Sequence, residues 1–222
     1  MYNLSYFKEK DSQVLLDFVN QYPFALLTGS DKAGSPIATQ VPLLVHVREG
    51  RWFLQGHIMR NTDHHLAFAE NPKVLALFMG PNAYVSASWY SNPQIGSTWN
   101  YMTVHAAGEM TFLSDDGLVD LMKRLTLKFE DNNNQSPTVF DNLPKEFLDH
   151  MLPAIVGFEI EVHSLENVFK LSQNRDESSY QNIINQLESL DPNSKMVAQE
   201  MKKRKEDLFP PGKEWDESQF LS

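Results

Sequence analysis

Between Phe24 and His57 the chain fits three strand-like runs joined by two tight turns. Phe24-Ala25-Leu26-Leu27-Thr28-Gly29 reads as a strand and Asp31-Lys32-Ala33-Gly34 as turn chemistry. Residues 36–47 form the return strand, Glu49-Gly50 a second turn, and residues 51–57 a third strand. Parallel neighbours need a long crossover, so connections this short dictate an antiparallel meander.

The rest of the chain is consistent with that start. Residues 12–21 predict a helix, with Val14, Leu15, Phe18 and Val19 at helical spacing. Asn61, Thr62 and Asp63 are N-cap residue types before a second helix, which Asn71-Pro72 stops. Residues 73–79 predict a strand buried on both faces, and Gly80-Pro81-Asn82 separates it from a short run at 83–86. Residues 98–107 and 109–113 read as strands joined around Gly108. Leu118, Leu121, Met122, Leu125 and Phe129 mark a helix after Ser114. A short helix near 143–150 leads to a last strand at 155–163. From Ser178 the sequence is helical and charged, and Pro210-Pro211-Gly212 begins a flexible tail. Six or more short strands with a few connecting helices predict a mainly β, α+β fold built on a small closed barrel. No Gly-x-Gly-x-x-Gly follows a strand and no Gly-x-x-x-x-Gly-Lys-Ser/Thr occurs, which excludes the usual nucleotide-binding loops.

Charge and composition narrow the partners. The net charge of −10 repels polyphosphate at long range, so nucleic-acid binding needs a local basic patch. Lys202-Lys203-Arg204-Lys205 is the one candidate, and a solvated helix terminus whose cations suit the helix dipole is the commoner use of such a run. Without cysteine there is neither a disulfide nor thiolate chemistry. No apolar run approaches the ~20 residues of a membrane helix, and the first eight residues lack a signal-peptide layout. A cytoplasmic protein is the expectation.

Four segments could carry chemistry. Gly56-His57-Ile58-Met59-Arg60-Asn61-Thr62-Asp63 sets an imidazole, a guanidinium and an amide between a strand end and a helix start. A helix N-terminus with a planar guanidinium fork beside it suits phosphate. The bland reading makes Arg60 a surface charge and Asn61 a cap. In Thr39-Gln40-Val41-Pro42-Leu43, Pro42 lacks an N–H and marks a barrel edge or bulge, where free backbone groups suit a flat ring with polar edges. An ordinary edge-strand proline is the alternative. Ser86-Ala87-Ser88-Trp89-Tyr90 and Ser97-Thr98-Trp99-Asn100-Tyr101 combine aromatic and polar residues, as core anchors or as one wall of an aromatic-ligand pocket. Lys170-Leu171-Ser172-Gln173-Asn174-Arg175 carries cations and amides without hydrophobic periodicity. His57, His64, His65 and His105 raise the question of a metal, but no His-Glu-x-x-His motif is present and none is expected.

Together these segments resemble the PaiB-type family of FMN-binding negative transcriptional regulators. The resemblance rests on Gly56-His57 with Arg60-Asn61, on Asn82-Ala83-Tyr84-Val85-Ser86 with Ser88-Trp89-Tyr90, on Thr98-Trp99-Asn100-Tyr101 with Val104-His105-Ala106, and on residues 170–175. It spans most of residues 1–205. Ala87 stands where the family pattern has proline. The resemblance implies a six-stranded split barrel over residues 1–170, followed by a helical extension and tail over 171–222. It further implies a homodimer with FMN in the clefts between subunits. The phosphate would sit near His57, Arg60 and Asn61, and the ring edge against Thr39, Val41, Pro42 and Leu43. Trp99, Asn100, Lys170, Gln173 and Arg175 would close the cleft. The family name implies a flavin-binding regulator or sensor. A flavin-dependent oxidoreductase acting on a small molecule and, less so, a haem-binding split barrel remain as alternatives. No residue identifies itself as a catalytic acid or base.

Overall fold

A computed structural model of the chain describes residues 1–212, 215, 216 and 220. The expected tail therefore falls largely outside the described residues.

The first helix, α1 (Ser12–Gln21), leads into β1 (Phe24–Ser30) and β2 (Pro36–Pro42), paired antiparallel with Phe24 opposite Pro42 and Ser30 opposite Pro36. The return strand expected at 36–47 is in fact two strands. Its second part, β3 (Leu44–Arg48), pairs instead with β4 (Arg51–Met59). Pro42 has no N–H to continue the ladder, and the Leu43 N–H donates 2.9 Å to the Pro23 carbonyl. The chain turns a corner there.

After α2 (Asp63–Glu70) come β5 (Lys73–Val85) and β6 (Thr98–Phe112), then α3 (Asp115–Phe129), α4 (Lys145–Met151) and β7 (Ile155–Lys170). The chain ends in α5 (Glu177–Glu188) and α6 (Pro192–Leu208). The strand order is β2-β1-β5-β6-β7-β4-β3, so there are seven strands where six were expected. The two strands at the ends of this order are consecutive in the chain through Leu43. That corner is how an open sheet becomes a barrel, and β2 also contacts β4.

Two expected breaks are absent. Gly80-Pro81-Asn82 runs on as strand within β5, and Gly108 lies inside a continuous β6. The reason for Gly108 is non-local. A Cβ there would lie 2.1 Å from the Glu161 carbonyl oxygen, so only glycine lets the two backbones approach. The last strand likewise continues past His163 to Lys170.

The chain divides into two compact units, and β5, β6 and β7 each run from one into the other. Unit 2 (Leu16–Phe78, His105–Glu166) holds β1 to β4 and α2 to α4. Leu118, Leu121, Met122 and Leu125 of α3 bury one face against Leu44, Phe140 and Ile155. Ser114 caps α3, accepting from the Gly117 N–H. In unit 1 (Met1–Leu15, Met79–Val104, Asn167–Ser222), α5 and α6 pack together and bury Tyr180, Ile183, Ile184, Leu187, Val197, Ala198 and Met201. The Tyr180 hydroxyl donates 2.9 Å to the Met201 carbonyl, and burial pushes its phenol up, beyond the usual tyrosine range. Asp176 and Asp191 cap the two helices.

Candidate functional site

In unit 2, His57 lies near the end of β4 opposite Gly157, and its half-buried ring has a buried Nδ1 with no hydrogen-bond partner. Burial holds its pKa below the usual histidine value, so the ring is neutral at pH 7. Three residues on, Arg60 is exposed. Its backbone N–H donates 2.8 Å to the Ala154 carbonyl, its Nε 3.2 Å to the Pro153 carbonyl and its Nη2 3.0 Å to the Ile155 carbonyl. Those bonds fix the guanidinium while leaving three of its five N–H donors for another group. It borders a cavity of about 500 Å³ that Asp115, Leu118 and Leu152 also line.

Asn61 takes a left-handed backbone, φ 63°, which an asparagine tolerates better than most residues. Its N–H donates 3.1 Å to His65 Nδ1. The helix start beside it is already served. The Thr62 hydroxyl caps the His65 N–H, and Asp63 accepts from the His64 N–H at 2.8 Å. The His64 and His65 amides are therefore occupied, and the Asp63 carboxylate beside them carries negative charge.

The corner residues lie in the same unit. Thr39 pairs with Leu27, Val41 with Ala25 and Pro42 with Phe24, while Leu43 is buried at the turn between β2 and β3. Gly56 makes the corner possible, since a Cβ there would meet Leu43 Cδ2 and the Phe158 ring at 2.9 Å and the Pro42 oxygen at 3.1 Å. As the terminal strand in the order, β2 has one edge with no ladder partner among the described strands.

The other nominated residues belong to unit 1 and behave differently from one another. Trp99 is 55% exposed and meets Tyr84 edge-on, ring centroids 6.0 Å apart. Asn100 is fully buried; its Oδ1 accepts from the Ser172 hydroxyl at 3.0 Å and its Nδ2 lies 3.6 Å from the Met201 sulfur. Gln173 is also buried and turns back on its own chain, accepting from the Leu171 N–H at 2.7 Å and donating to the Phe169 carbonyl at 2.5 Å. These two amides build the turn in which Ser172 sits left-handed, φ 63°. Lys170 bonds to the Thr98 hydroxyl, and burial, then the charge of Arg175, lowers its pKa. The Arg175 guanidinium carbon lies 4.7 Å from the centroid of the Tyr90 ring.

A polar chain in unit 2 that the sequence does not announce links His46, Arg124, Gln55 and Glu159. No motif announces it, since its members come from four separate elements. Lys202, Lys203, Arg204 and Lys205 are all ion-paired, with Glu188, Glu200, Glu200 and Glu177 respectively. Among the described residues no three His, Asp or Glu side chains gather as a metal site would need. No helix among them is long and apolar enough to cross a membrane.

Residues 1–164 match the family described as "Putative FMN-binding domain". The chain is 35% identical over 202 residues to "Protease synthase and sporulation protein PAI 2" of Bacillus subtilis, covering 90% of this chain and 96% of that protein. It is 23% identical over 231 residues to an uncharacterized protein of Emericella nidulans, covering 86% and 91% of the two chains. Among solved structures, the FAD and heme binding protein of Mycobacterium smegmatis superposes with a TM-score of 0.55 at 16% identity, covering 74% of this chain and 73% of the other. The flavocytochrome Anf3 of Azotobacter vinelandii gives 0.55 at 14%, covering 76% and 72%. These likenesses establish the fold, a split β-barrel with helices.

Proposed function

The chain belongs to the FMN-binding-domain family and is of the PaiB type, and from that premise we propose that it is a flavin-dependent regulatory or sensor protein. FMN is the cofactor that the family assigns to it. The observation that carries the placement of the cofactor is the orphaned His57 Nδ1, three residues from an exposed guanidinium with donors to spare. A buried polar atom without a partner costs free energy unless something supplies one. A ligand bearing a phosphate and polar ring edges fits that donor set.

In this reading Arg60 and the Asn61 side chain hold the phosphate, and neutral His57 completes its own hydrogen bonding on the ligand. The unpaired edge of β2 near Thr39, Val41 and Pro42 offers backbone groups to the ring, with Leu43 fixing the corner behind it. Asn100 and Gln173 act as supports of the residue 170–175 turn. We further place the cofactor in the cleft of a homodimer, where the exposed Trp99 and the Lys170 ammonium of a second copy cover the ring. When bound, the flavin supplies one- and two-electron redox chemistry. The protein's part is to bind, orient and exclude water.

Regulation by direct contact with DNA would need cations that are free to release counterions. The Lys202–Lys205 run does not offer them, because each of its four cations already has a carboxylate. This favours sensing over operator binding through that helix. The test is to purify the protein, record its flavin spectrum and size, and run a gel-shift at physiological salt with and without reduction of the flavin. A flavin-loaded dimer agrees with the reading. A colourless protein that takes up no FMN sinks it, and rapid anaerobic reduction by NADH or NADPH would move it to the oxidoreductases.

A further inference from the structure

Unit 1 contains a cavity of about 250 Å³ whose wall includes Tyr90, Asn92, Arg175, Asp176 and Trp215. Its chemistry is unusual for an empty gap. Tyr90 is only 6% exposed, yet its hydroxyl has no hydrogen-bond partner. The Trp215 indole Nε1 is buried and unpartnered in the same way. Buried tyrosine hydroxyls and indole N–H groups normally find partners, so two such groups on one small cavity offer a ligand a ready hydrogen-bonding wall.

The third wall member supplies charge. Arg175 stacks on the face of the Tyr90 ring, with its guanidinium close to the hydroxyl as well. Burial raises the Tyr90 pKa, and the nearby Arg175 charge pulls it the other way. Among the described residues no carboxylate pairs with Arg175, although most arginines of this acidic chain have one: Arg48 with Glu159, Arg51 with Glu161, Arg124 with Asp120 and Arg204 with Glu200. Asp176 lines the cavity too, but its oxygens are consumed. They accept from the Ser179 N–H at 2.9 Å, the Ser179 hydroxyl at 2.7 Å and the Ser91 hydroxyl at 2.8 Å. Asp176 thus holds the wall in place as the cap of α5.

We propose that this cavity binds a small oxyanion, a carboxylate or a phosphate group, held by the Arg175 fork with the Tyr90 hydroxyl and the Trp215 indole N–H completing its donor set. A guanidinium fork matches two oxygens of one anion, and neutral donors beside it add direction. The volume lies below the roughly 300–1,000 Å³ of pockets that enclose drug-sized ligands, which suits a small metabolite and not a whole flavin nucleotide. The inference uses none of the residues that hold the flavin phosphate, but it shares Arg175 with the cleft that the resemblance implies, so Tyr90→Phe is the variant on which the two are told apart. It gives the sensor a second input.

The test uses the full chain as purified, titrated with sodium acetate or with inorganic phosphate against chloride at matched ionic strength. Thermal midpoint and tryptophan fluorescence are the readouts, and flavin absorbance is recorded in parallel. A saturable response to acetate or to phosphate is expected, and which of the two saturates identifies the oxyanion. Tyr90→Phe should weaken it several-fold and Arg175→Gln about tenfold or more, as loss of a charge-assisted contact does. Tyr90→Phe should keep its flavin absorbance. If Arg175→Gln fails to fold, Tyr90→Phe and Trp215→Phe carry the test. Chloride giving the same response, or variants binding as tightly as the parent, would overturn the proposal whatever the flavin does.

Discussion

The Nε2 of His46 lies 2.7 Å from Nη1 of Arg124. A guanidinium can only donate, so the imidazole nitrogen facing it must accept, and His46 is neutral in the folded protein. The chain of bonds continues. Arg124 Nη2 donates 2.7 Å to Gln55 Oε1, Gln55 Nε2 donates 2.7 Å to Glu159 Oε2, and Arg48 pairs with Glu159 Oε1 at 2.6 Å. Burial first, and the Arg124 charge second, lower the His46 pKa below 6.5, against a smaller opposing pull from Glu159.

That relationship fixes the sign of a pH dependence. A histidine with a lowered folded-state pKa binds its proton more readily when unfolded, so its stabilisation is full above the unfolded value of 6.5 and falls away as pH drops below it. His57 and His65 are shifted in the same direction, His57 by burial and His65 by burial and then the Arg60 charge. Urea midpoints should therefore fall between pH 7.5 and about pH 5.5, the range over which an ordinary histidine takes up its proton. His46→Gln should shrink the slope without abolishing it. A midpoint that rises on acidification in this window would contradict the assignment.

Gly108→Ala tests the crossing of β6 and β7. The new methyl would collide with the Glu161 backbone oxygen at 2.1 Å, a contact that no side-chain movement relieves. Overpacking of this kind should cost about 3 kcal/mol or more. Chemical denaturation reads it directly, and a stability equal to the parent would mean the strands do not approach so closely.

Asn100→Ala separates support from ligand contact. The substitution strips the buried Ser172 hydroxyl of its acceptor and leaves a gap beside Met201, at a cost of about 1–3 kcal/mol. The expected result is a lower thermal midpoint even without cofactor. Unchanged stability with lost flavin would make Asn100 a direct contact instead.

How far the sequence could be read depended on whether the cause was local. The meander from Phe24 to His57 was legible because Asp31–Gly34 and Glu49–Gly50 are turns by their own chemistry, and Gly34, Glu49 and Gly50 all take positive φ. The corner at Leu43 was half legible: Pro42 signals the end of a ladder, but nothing nearby says that the next strand joins the opposite end of the sheet. Gly108 looked like a break because its reason, the Glu161 backbone, lies far along the chain. The same holds for the sites. His57, Arg60 and Asn61 are neighbours in sequence, so their closeness needs no fold to be seen. Tyr90 and Arg175 meet only through the fold, and so do Asn100, which the resemblance nominates for the cleft, and its partners Ser172 and Met201.

The central claim is that the rim around residue 60 grips the phosphate of FMN, and an FMN titration of the apoprotein and its Arg60→Ala variant tests it most directly. Arg60 also ties down the Pro153 and Ile155 carbonyls, so thermal midpoints of both proteins are needed alongside. The parent should bind FMN, and Arg60→Ala should bind about ten- to a hundredfold more weakly while remaining folded, the loss of roughly 1.5–3 kcal/mol of a charge-assisted contact. Equal affinity in the two folded proteins would contradict the account.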